Sequence, residues 1–235
     1  GGFNSLRLVA AGPLRPFAKD RQGMKLGEGY GIVVLERAED ASRRGATPLA
    51  QLLGWGESAD AHHLTQPHPQ GDGAARAMTG ALRSAQISPE EIGLIAAHAT
   101  GTPDNDAAEF AALSRVFGQH LPRIPVVGFK SHLGHTLGGA GAVEMILAMS
   151  AMRTQIAPPC ANVTAEEMEF PGLNLTTGQA KPAEIRATLS TSLGFGGANN
   201  CVLLGPPPKP SAPALHINTP RRREVFITGT GVIIP

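Results

Sequence analysis

"IGLIAAHATGTPDNDAAEFAALSRVFG", residues 92–118, is the stretch that indicates the fold class most clearly. It joins a short apolar run to a glycine turn, and then to an amphipathic segment that ends at Gly118. A short apolar run bounded by turn signals predicts a buried strand, and apolar residues at helical spacing predict a helix. Just upstream, Ser88, Pro89 and Glu91 form a typical helix-start pattern. Strand, turn and helix in this order favour an α/β domain.

The same pattern continues on both sides of this stretch. Downstream, residues 124–130 predict a strand, residues 138–153 a buried helix that is apolar on nearly every face, and residues 187–205 two strands joined by a glycine turn. Upstream, we predict a buried β-branched strand at residues 30–37, a short helix closed by Gly45 at 38–46 and a second strand at 48–58. A polar loop at residues 58–73 and a helix at 73–85 follow.

The regular pattern stops near Gly205. Residues 206–223 are Pro-rich and lack periodicity, which predicts a linker. Residues 224–235, "EVFITGTGVIIP", predict a strand that opens a second domain. The beginning, "GGFNSLRLVA", has neither Met nor the charged and apolar regions of a signal peptide. We therefore expect a piece of a longer protein.

Composition excludes several classes of function. The 235 residues suffice for one large domain or two small ones, and with 4% aromatic residues the core must consist of Ala, Val, Leu and Ile. A net charge of +1 gives no electrostatic case for nucleic acid, and no apolar run is long enough to span a membrane. Two cysteines, Cys160 and Cys201, do not make a disulfide framework, which favours a cytoplasmic protein.

Three segments end a strand with a polar residue and then a glycine turn. Because sites in α/β sheets gather where strands end, these turns are predicted to converge on one pocket. The segments are residues 96–106, 128–141 and 191–200, and they carry His98, Lys130, His135, Phe195 and Asn199.

His98 and His135 could each donate an N–H to a developing oxyanion if both imidazoles are neutral. A positive charge on Lys130 would help to keep them neutral. The alternative is that each is a hydrogen-bonded core histidine beside a tight turn. That alternative is the better one for a single histidine, but two histidines on glycine turns with a lysine between them favour a site. His132 is predicted to be structural, and the histidines of the polar loop (His62, His63 and His68) are predicted to lie on the surface, with metal binding the weaker alternative.

Four segments of the sequence resemble motifs of one known family. "HATGTPDNDAAE" resembles the first histidine motif of the β-ketoacyl-acyl-carrier-protein synthases, and "KSHLGHTLGGAGAVE" resembles their lysine and second-histidine motif. "SLGFGGANN" is similar to their C-terminal glycine-rich loop, and "RPFAKDRQGMKLGEGYGIVVLE" to the segment before these motifs. The order and spacing fit, with 32 residues from His98 to Lys130. The terminal "VFITGTGVIIP" resembles the first strand of another synthase domain.

The resemblance implies a thiolase-like layered αβαβα fold, of which residues 1–205 supply mainly the C-terminal half. It implies a decarboxylative condensation in which malonyl-acyl carrier protein loses CO2 and the enolate attacks an acyl thioester on a cysteine. His98 and His135 would stabilise the enolate, Lys130 would tune the electrostatics, and Phe195 would contribute its N–H to an oxyanion hole and its ring as a gate. The supporting residues would be Asp106, Glu144, Asn199, Gly134 and Gly196.

The resemblance places the nucleophilic cysteine before Gly1. Cys160 and Cys201 are therefore predicted to be small buried residues, and the chain alone is not expected to condense substrates. Ala99 stands where the family usually has Gly, so a positive φ there would be costly. No cofactor or metal is expected, because the substrates are carried on the phosphopantetheine of acyl carrier protein.

The alternative function is a non-catalytic partner subunit like the chain-length factors, which bind acyl carrier protein or the acyl chain. Such subunits commonly lose histidines of the site, so the presence of both His98 and His135 favours the enzyme. The expected partners are acyl carrier protein, the missing N-terminal half of the synthase domain, and a second synthase in a homodimer or heterodimer. A nucleic-acid partner and a membrane span are not expected.

Overall fold

The computed structural model describes residues 2–6 and 8–207. Seven strands and six α-helices lie in this part. The strands are β1 (Gln51–Ala59), β2 (Leu94–Ala96), β3 (Val126–Val127), β4 (Ile156–Ala157), β5 (Lys181–Pro182), β6 (Thr188–Gly194) and β7 (Ala198–Gly205). The helices are α1 (Gly2–Ser5), α2 (Ala38–Arg43), α3 (Asp72–Ala85), α4 (Pro103–Phe117), α5 (Lys130–Leu133) and α6 (Ala140–Thr154). The predicted linker beyond residue 207 and the predicted second-domain strand lie outside the described residues.

Five strands form one mixed sheet in the spatial order β1, β7, β6, β2, β3. Strands β6, β2 and β3 run parallel, whereas β7 is antiparallel to β6 and β1 is antiparallel to β7. Because the three parallel strands point the same way, the residues that follow them meet at one edge of the sheet. That edge carries the turns after Ala96, Val127 and Gly194.

Helices cover both faces of this sheet. On one face Thr191 of β6 contacts Glu109 of α4, while the next residue, Ser192, lies beside Gly141 of α6 on the other face. Helix α3 packs so closely on β1 that a Cβ at Gly56 would lie 2.1 Å from the carbonyl oxygen of Ala77. The chain thus forms an α/β/α arrangement, as the alternation of strands and helices predicts.

The core has the predicted composition, and its buried side chains are mainly Ala, Leu, Ile and Val. The larger members include Phe17, Phe117 and Met78. The predicted helix start at Ser88 is present as a complete capping box, but the helix is a single 3-10 turn, Pro89–Glu91. In the part of the chain that is described, no helix is both long and apolar enough to cross a membrane.

The prediction of a buried strand at residues 30–37 is wrong. The segment has no regular structure, and Tyr30, Ile32 and Val34 are each more than three-quarters exposed. A β-branched run favours an extended backbone, but it becomes a strand only when another strand pairs with it. Within residues 2–6 and 8–207, no strand lies beside it.

The prediction that the apolar helix at residues 138–153 is buried is only partly right. Helix α6 buries one side, which includes Glu144, Ala148 and Met152, while Ile146 and Leu147 are only partly buried. Trp55 of β1, on the same face of the sheet as α6, is 59% exposed. Apolar side chains that are not fully buried therefore lie on α6 and, on the same face of the sheet, on β1.

Candidate active site

His98 lies directly beyond the end of β2 and is 7% exposed. Its backbone N–H donates to Oε1 of Glu109 at 2.8 Å and to the hydroxyl of Thr191 at 2.9 Å. The neighbouring Ala99 N–H donates to the other carboxylate oxygen, Oε2 of Glu109, at 2.8 Å. One buried carboxylate on α4 thereby fixes the backbone that carries the first histidine.

Lys130 begins helix α5 and is 1% exposed. Its ammonium donates to Oε1 of Glu144 at 2.6 Å and lies 3.3 Å from Nδ1 of His98. The second carboxylate oxygen of Glu144 is buried without a hydrogen-bond partner in the described structure. Burial raises the pKa of Glu144 above its ordinary value, and the charge of Lys130 offsets this rise only in part.

His135 follows Gly134, whose φ of 72° turns the chain out of α5. The imidazole rings of His98 and His135 lie 5.3 Å apart, edge to face at 85°. Nδ1 of His135 accepts the backbone N–H of Leu137 at 3.1 Å. The lone pair on that nitrogen is therefore engaged, which in the neutral ring leaves the proton on Nε2.

Both imidazoles are held in the neutral form. Burial, then the charge of Lys130 and the neighbouring His135, lowers the pKa of His98 well below its ordinary value. Burial and Lys130 lower the pKa of His135 to about 4. Because Lys130 is a donor beside Nδ1 of His98, that ring also carries its proton on Nε2. Two neutral N–H donors thus stand side by side.

These histidines line an open cleft of about 1070 Å³. Its polar wall includes Thr100, Thr102 and Ser192, and its apolar wall includes Phe3 and Leu8. Paired N–H donors at the inner end of such a cleft can stabilise negative charge on a carbonyl oxygen.

Phe195 stands at the rim of this cleft and is 47% exposed. Its ring tilts against that of Phe3, with 5.8 Å between centroids. The turn after it uses Gly196 at φ 80°, and its N–H donates to the carbonyl of Leu64 at 2.7 Å. The structure therefore places the Phe195 ring at the cleft that the two histidines line, as the sequence predicts. Leu64 of the polar loop contacts the turn that follows Phe195.

Asn199 stabilises the turn at residues 195–197 through its side-chain amide. Its amide donates to the carbonyl of Gly197 at 2.9 Å and to Oδ1 of Asp60 at 2.8 Å. Asp60 in turn accepts the backbone N–H of His68 at 3.0 Å. The role of Asp60 has no signal in the sequence beyond its polarity, because the contact joins residues that are 139 positions apart.

Asp106 is fully buried but lies behind the cleft. Its carboxylate accepts the N–H of Phe17 at 2.7 Å and that of Gly101 at 3.1 Å. Burial raises its pKa to about 6, partly offset by the Phe17 N–H. Glu109, three residues further along α4, was not predicted, although helical spacing puts it on the same side as Asp106. Ala99, held by Glu109, has a φ of 41°, the conformation that is costly for a residue with a side chain.

The remaining sequence candidates lie away from the two histidines. His132 contacts the carbonyl of Pro159 through Nε2 at 2.7 Å, a structural contact. His62 and His68 pack edge to face in the polar loop, 5.1 Å apart. Among the described residues, no three His, Cys, Asp or Glu side chains are grouped so that they could hold a metal ion.

Neither cysteine has the surroundings of a nucleophile. Cys160 and Cys201 are buried free thiols. Burial raises the pKa of Cys160 to about 12, and burial raises that of Cys201 as well. The Cys160 sulfur accepts the Gly128 N–H at 3.0 Å. A thiol is reactive as the thiolate, so these residues are inert at neutral pH.

Comparison with known proteins agrees with this geometry. A family model described as "Beta-ketoacyl synthase, C-terminal domain" matches residues 49–164, and "Beta-ketoacyl synthase, N-terminal domain" matches residues 1–41. A 3-oxoacyl-[acyl-carrier-protein] synthase 2 from Coxiella burnetii is 38% identical over 87% of this chain and 50% of that protein. The mitochondrial 3-oxoacyl-[acyl-carrier-protein] synthase of Arabidopsis thaliana is 43% identical over 86% of this chain and 43% of that protein.

Solved structures show the same likeness. "The ishigamide ketosynthase/chain length factor" matches with a TM-score of 0.81 and 40% identity, over 87% of this chain and 49% of that chain. A β-ketoacyl synthase from Burkholderia phymatum matches with a TM-score of 0.79 and 33% identity, over 87% of this chain and 50% of that chain. The chain spans about half the length of the curated relatives it matches. It belongs to the β-ketoacyl synthase family, and its described part forms mainly the C-terminal half of the thiolase-type fold.

Proposed function

We propose that this chain supplies the decarboxylation half of a 3-oxoacyl-acyl-carrier-protein synthase, an acyltransferase that joins malonyl-acyl carrier protein to an acyl thioester. The observation that carries the proposal is the pair of neutral Nε2–H donors on His98 and His135, 5.3 Å apart between ring centroids. The named relatives are synthases of this class, which supports it further.

In the proposed reaction both donors bind the thioester carbonyl oxygen of the malonyl group. The bond to the carboxylate breaks, CO2 leaves, and the electron pair becomes an enolate whose oxygen the two N–H groups stabilise. The enolate carbon then attacks the acyl thioester on a cysteine, and the thiolate leaves. Lys130 does not touch the substrate in this scheme: together with burial, which is the larger cause, its charge keeps both rings neutral and so keeps both donors available.

The partners follow from the same proposal. Acyl carrier protein would deliver both substrates on its phosphopantetheine, and no other cofactor is proposed. A solved relative titled as a type II acyl carrier protein bound to its ketosynthase is 31% identical to this chain, with a TM-score of 0.82. We also propose a dimer with a second synthase subunit, and an N-terminal synthase half that covers the apolar side of α6. Two buried free thiols support a cytoplasmic setting.

The retention of both donors favours the enzyme over a chain-length-factor-like subunit. A subunit that only binds carrier protein has no need of two neutral imidazoles beside a buried lysine. A cysteine at a tight strand-to-helix turn, in the sequence that precedes these motifs in a complete synthase, would distinguish the two roles directly.

The test uses a complete synthase that includes this chain. His135→Ala should abolish CO2 release from malonyl-acyl carrier protein and leave acylation of the cysteine largely intact. His132→Ala is the matched control, since His132 lies three residues away and is exposed, and its side chain has a hydrogen bond only to the Pro159 carbonyl among the contacts described. Equal loss of radiolabelled acyl transfer and CO2 release in His135→Ala would refute the proposed role.

A further inference from the structure

The backbone of His135 is held on both sides by one short segment from early in the chain. Its N–H donates to the carbonyl of Lys25 at 2.6 Å, and its carbonyl accepts the N–H of Gly27 at 3.0 Å. Leu26, between them, forms a parallel bridge with His135. Residues 25–27 thus pair with His135 as a single parallel β-bridge. This pairing fixes the backbone position from which the imidazole side chain extends.

This pairing depends on close approach at Gly27. A Cβ on Gly27 would lie 2.0 Å from the carbonyl oxygen of Leu133 and 3.0 Å from the carbonyl carbon of Gly134. In return, a Cβ on Gly134 would lie 2.8 Å from the Gly27 nitrogen. The backbones at Gly27 and Gly134 therefore pack directly against each other, and Gly134 immediately precedes His135.

Neither side of this crossing can yield easily. The opposing atoms are backbone, and the Gly134 N–H is already bound to the Lys130 carbonyl at 2.8 Å. Lys130 itself is anchored in the core by Glu144. A side chain at residue 27 would therefore push residues 25–27 away from the end of α5, which is fixed from the other side. That displacement would break or strain the two hydrogen bonds that hold the backbone of His135.

Several nearby glycines lack this property. A Cβ at Gly12 or at Gly138 would meet nothing within 4 Å, and one at Gly29 would meet only the side chain of Thr136, at 3.3 Å. The close approach at Gly27 is therefore not general to the loop, although Gly139, whose Cβ would lie 2.3 Å from the carbonyl oxygen of Gly29, packs as tightly against backbone.

We propose that Gly27 is a positioning residue for His135, whose missing side chain lets residues 25–27 clamp the histidine backbone so that its ring stands beside that of His98. The inference rests on the proposed function, in which both rings act on one oxygen. A Cβ needs at least about 1 Å more room than the 2.0 Å available at Leu133. A misplacement of about 1 Å can cost roughly 100-fold in rate.

The experiment is an NMR pH titration of the histidine rings in the 235-residue chain, with the His135 signal assigned through His135→Gln. In the wild type and in Gly12→Ala the pKa of His135 should stay at about 4. In Gly27→Ala it should rise by about one unit or more toward its ordinary value of about 6.5, because the ring leaves its half-buried place near Lys130. In Gly29→Ala the pKa of His135 should lie between its value in the wild type and its value in Gly27→Ala.

A folded Gly27→Ala chain in which His135 still titrates at about 4 would overturn the inference. If that variant does not fold, amide hydrogen exchange of the wild type decides the question. The amides of His135 and Gly27 should exchange more slowly than that of Gly12, and fast exchange of both would overturn the clamp. The proposed function fails separately, through CO2 release in His135→Ala.

Discussion

The buried pair of Lys130 and Glu144 gives the sharpest stability prediction. Their charged atoms lie 2.6 Å apart, and the side chains are 0% and 5% exposed. At an effective dielectric of about 20, the gross attraction at this distance is ~6 kcal/mol, which offsets a desolvation cost of several kcal/mol for each ion. Removing one partner leaves that cost without the attraction, so Lys130→Met or Glu144→Leu alone should each lower the free energy of unfolding by about 3–5 kcal/mol.

The double variant should be far less destabilised than the sum of the two single variants, with a coupling of at least about 3 kcal/mol. Replacing both charges by apolar side chains removes the desolvation cost together with the attraction. Urea unfolding of the four chains of this cycle measures the coupling. If the two single effects simply add, the pair does not act as the ion pair described here.

The pH dependence of Lys130→Met adds a signed test. Without the ammonium, burial and the charge of Glu109 act unopposed and raise the pKa of Glu144 in the folded state further above its unfolded value. A group with a raised folded pKa contributes stability that is fully present below the unfolded pKa and is lost as pH rises through the folded one. Lys130→Met should therefore lose stability from acidic toward neutral pH more steeply than the wild type, and parallel curves would contradict this.

Three further predictions test the surroundings of the site. Glu109→Gln should cost about 3 kcal/mol in urea unfolding, since the buried N–H groups of His98 and Ala99 lose a charged acceptor; a cost below about 1 kcal/mol would be inconsistent with that role. Asp106, with its pKa raised to about 6 from 3.8, should make the stability of the wild type relative to Asp106→Asn fall by ~2 kcal/mol between pH 4 and pH 7; a constant difference would argue against it. Neither cysteine should react with iodoacetamide in the native chain at pH 7.5, as mass spectrometry would show; labelling of one would mean that it is accessible and ionised.

The local part of the fold could be predicted from sequence because its signals are local. Helices α3 and α4 end close to where their apolar spacing stops, and the turn between β6 and β7 falls at the predicted glycines. The convergence of His98, Lys130 and Phe195 could also be predicted, because strands that run parallel end at one edge of the sheet.

What the sequence could not predict depends on distant partners. The run at residues 30–37 has strand propensity, but pairing needs another strand, and within the described residues there is none. Glu109 looks like any acidic residue on an amphipathic helix until the fold brings it back to the N–H of His98. The clamp at Gly27 joins residues more than a hundred positions apart, so no local spacing could show it.

The central claim is that His98 and His135 are both neutral Nε2–H donors at neutral pH. Long-range nitrogen–proton NMR of the imidazoles, assigned with His98→Gln and His135→Gln, reports charge and tautomer for each ring at once. At pH 7 both rings should be neutral with the proton on Nε2, and His135 should titrate only near pH 4. A charged ring at pH 7, or a proton on Nδ1 of either one, would contradict the account.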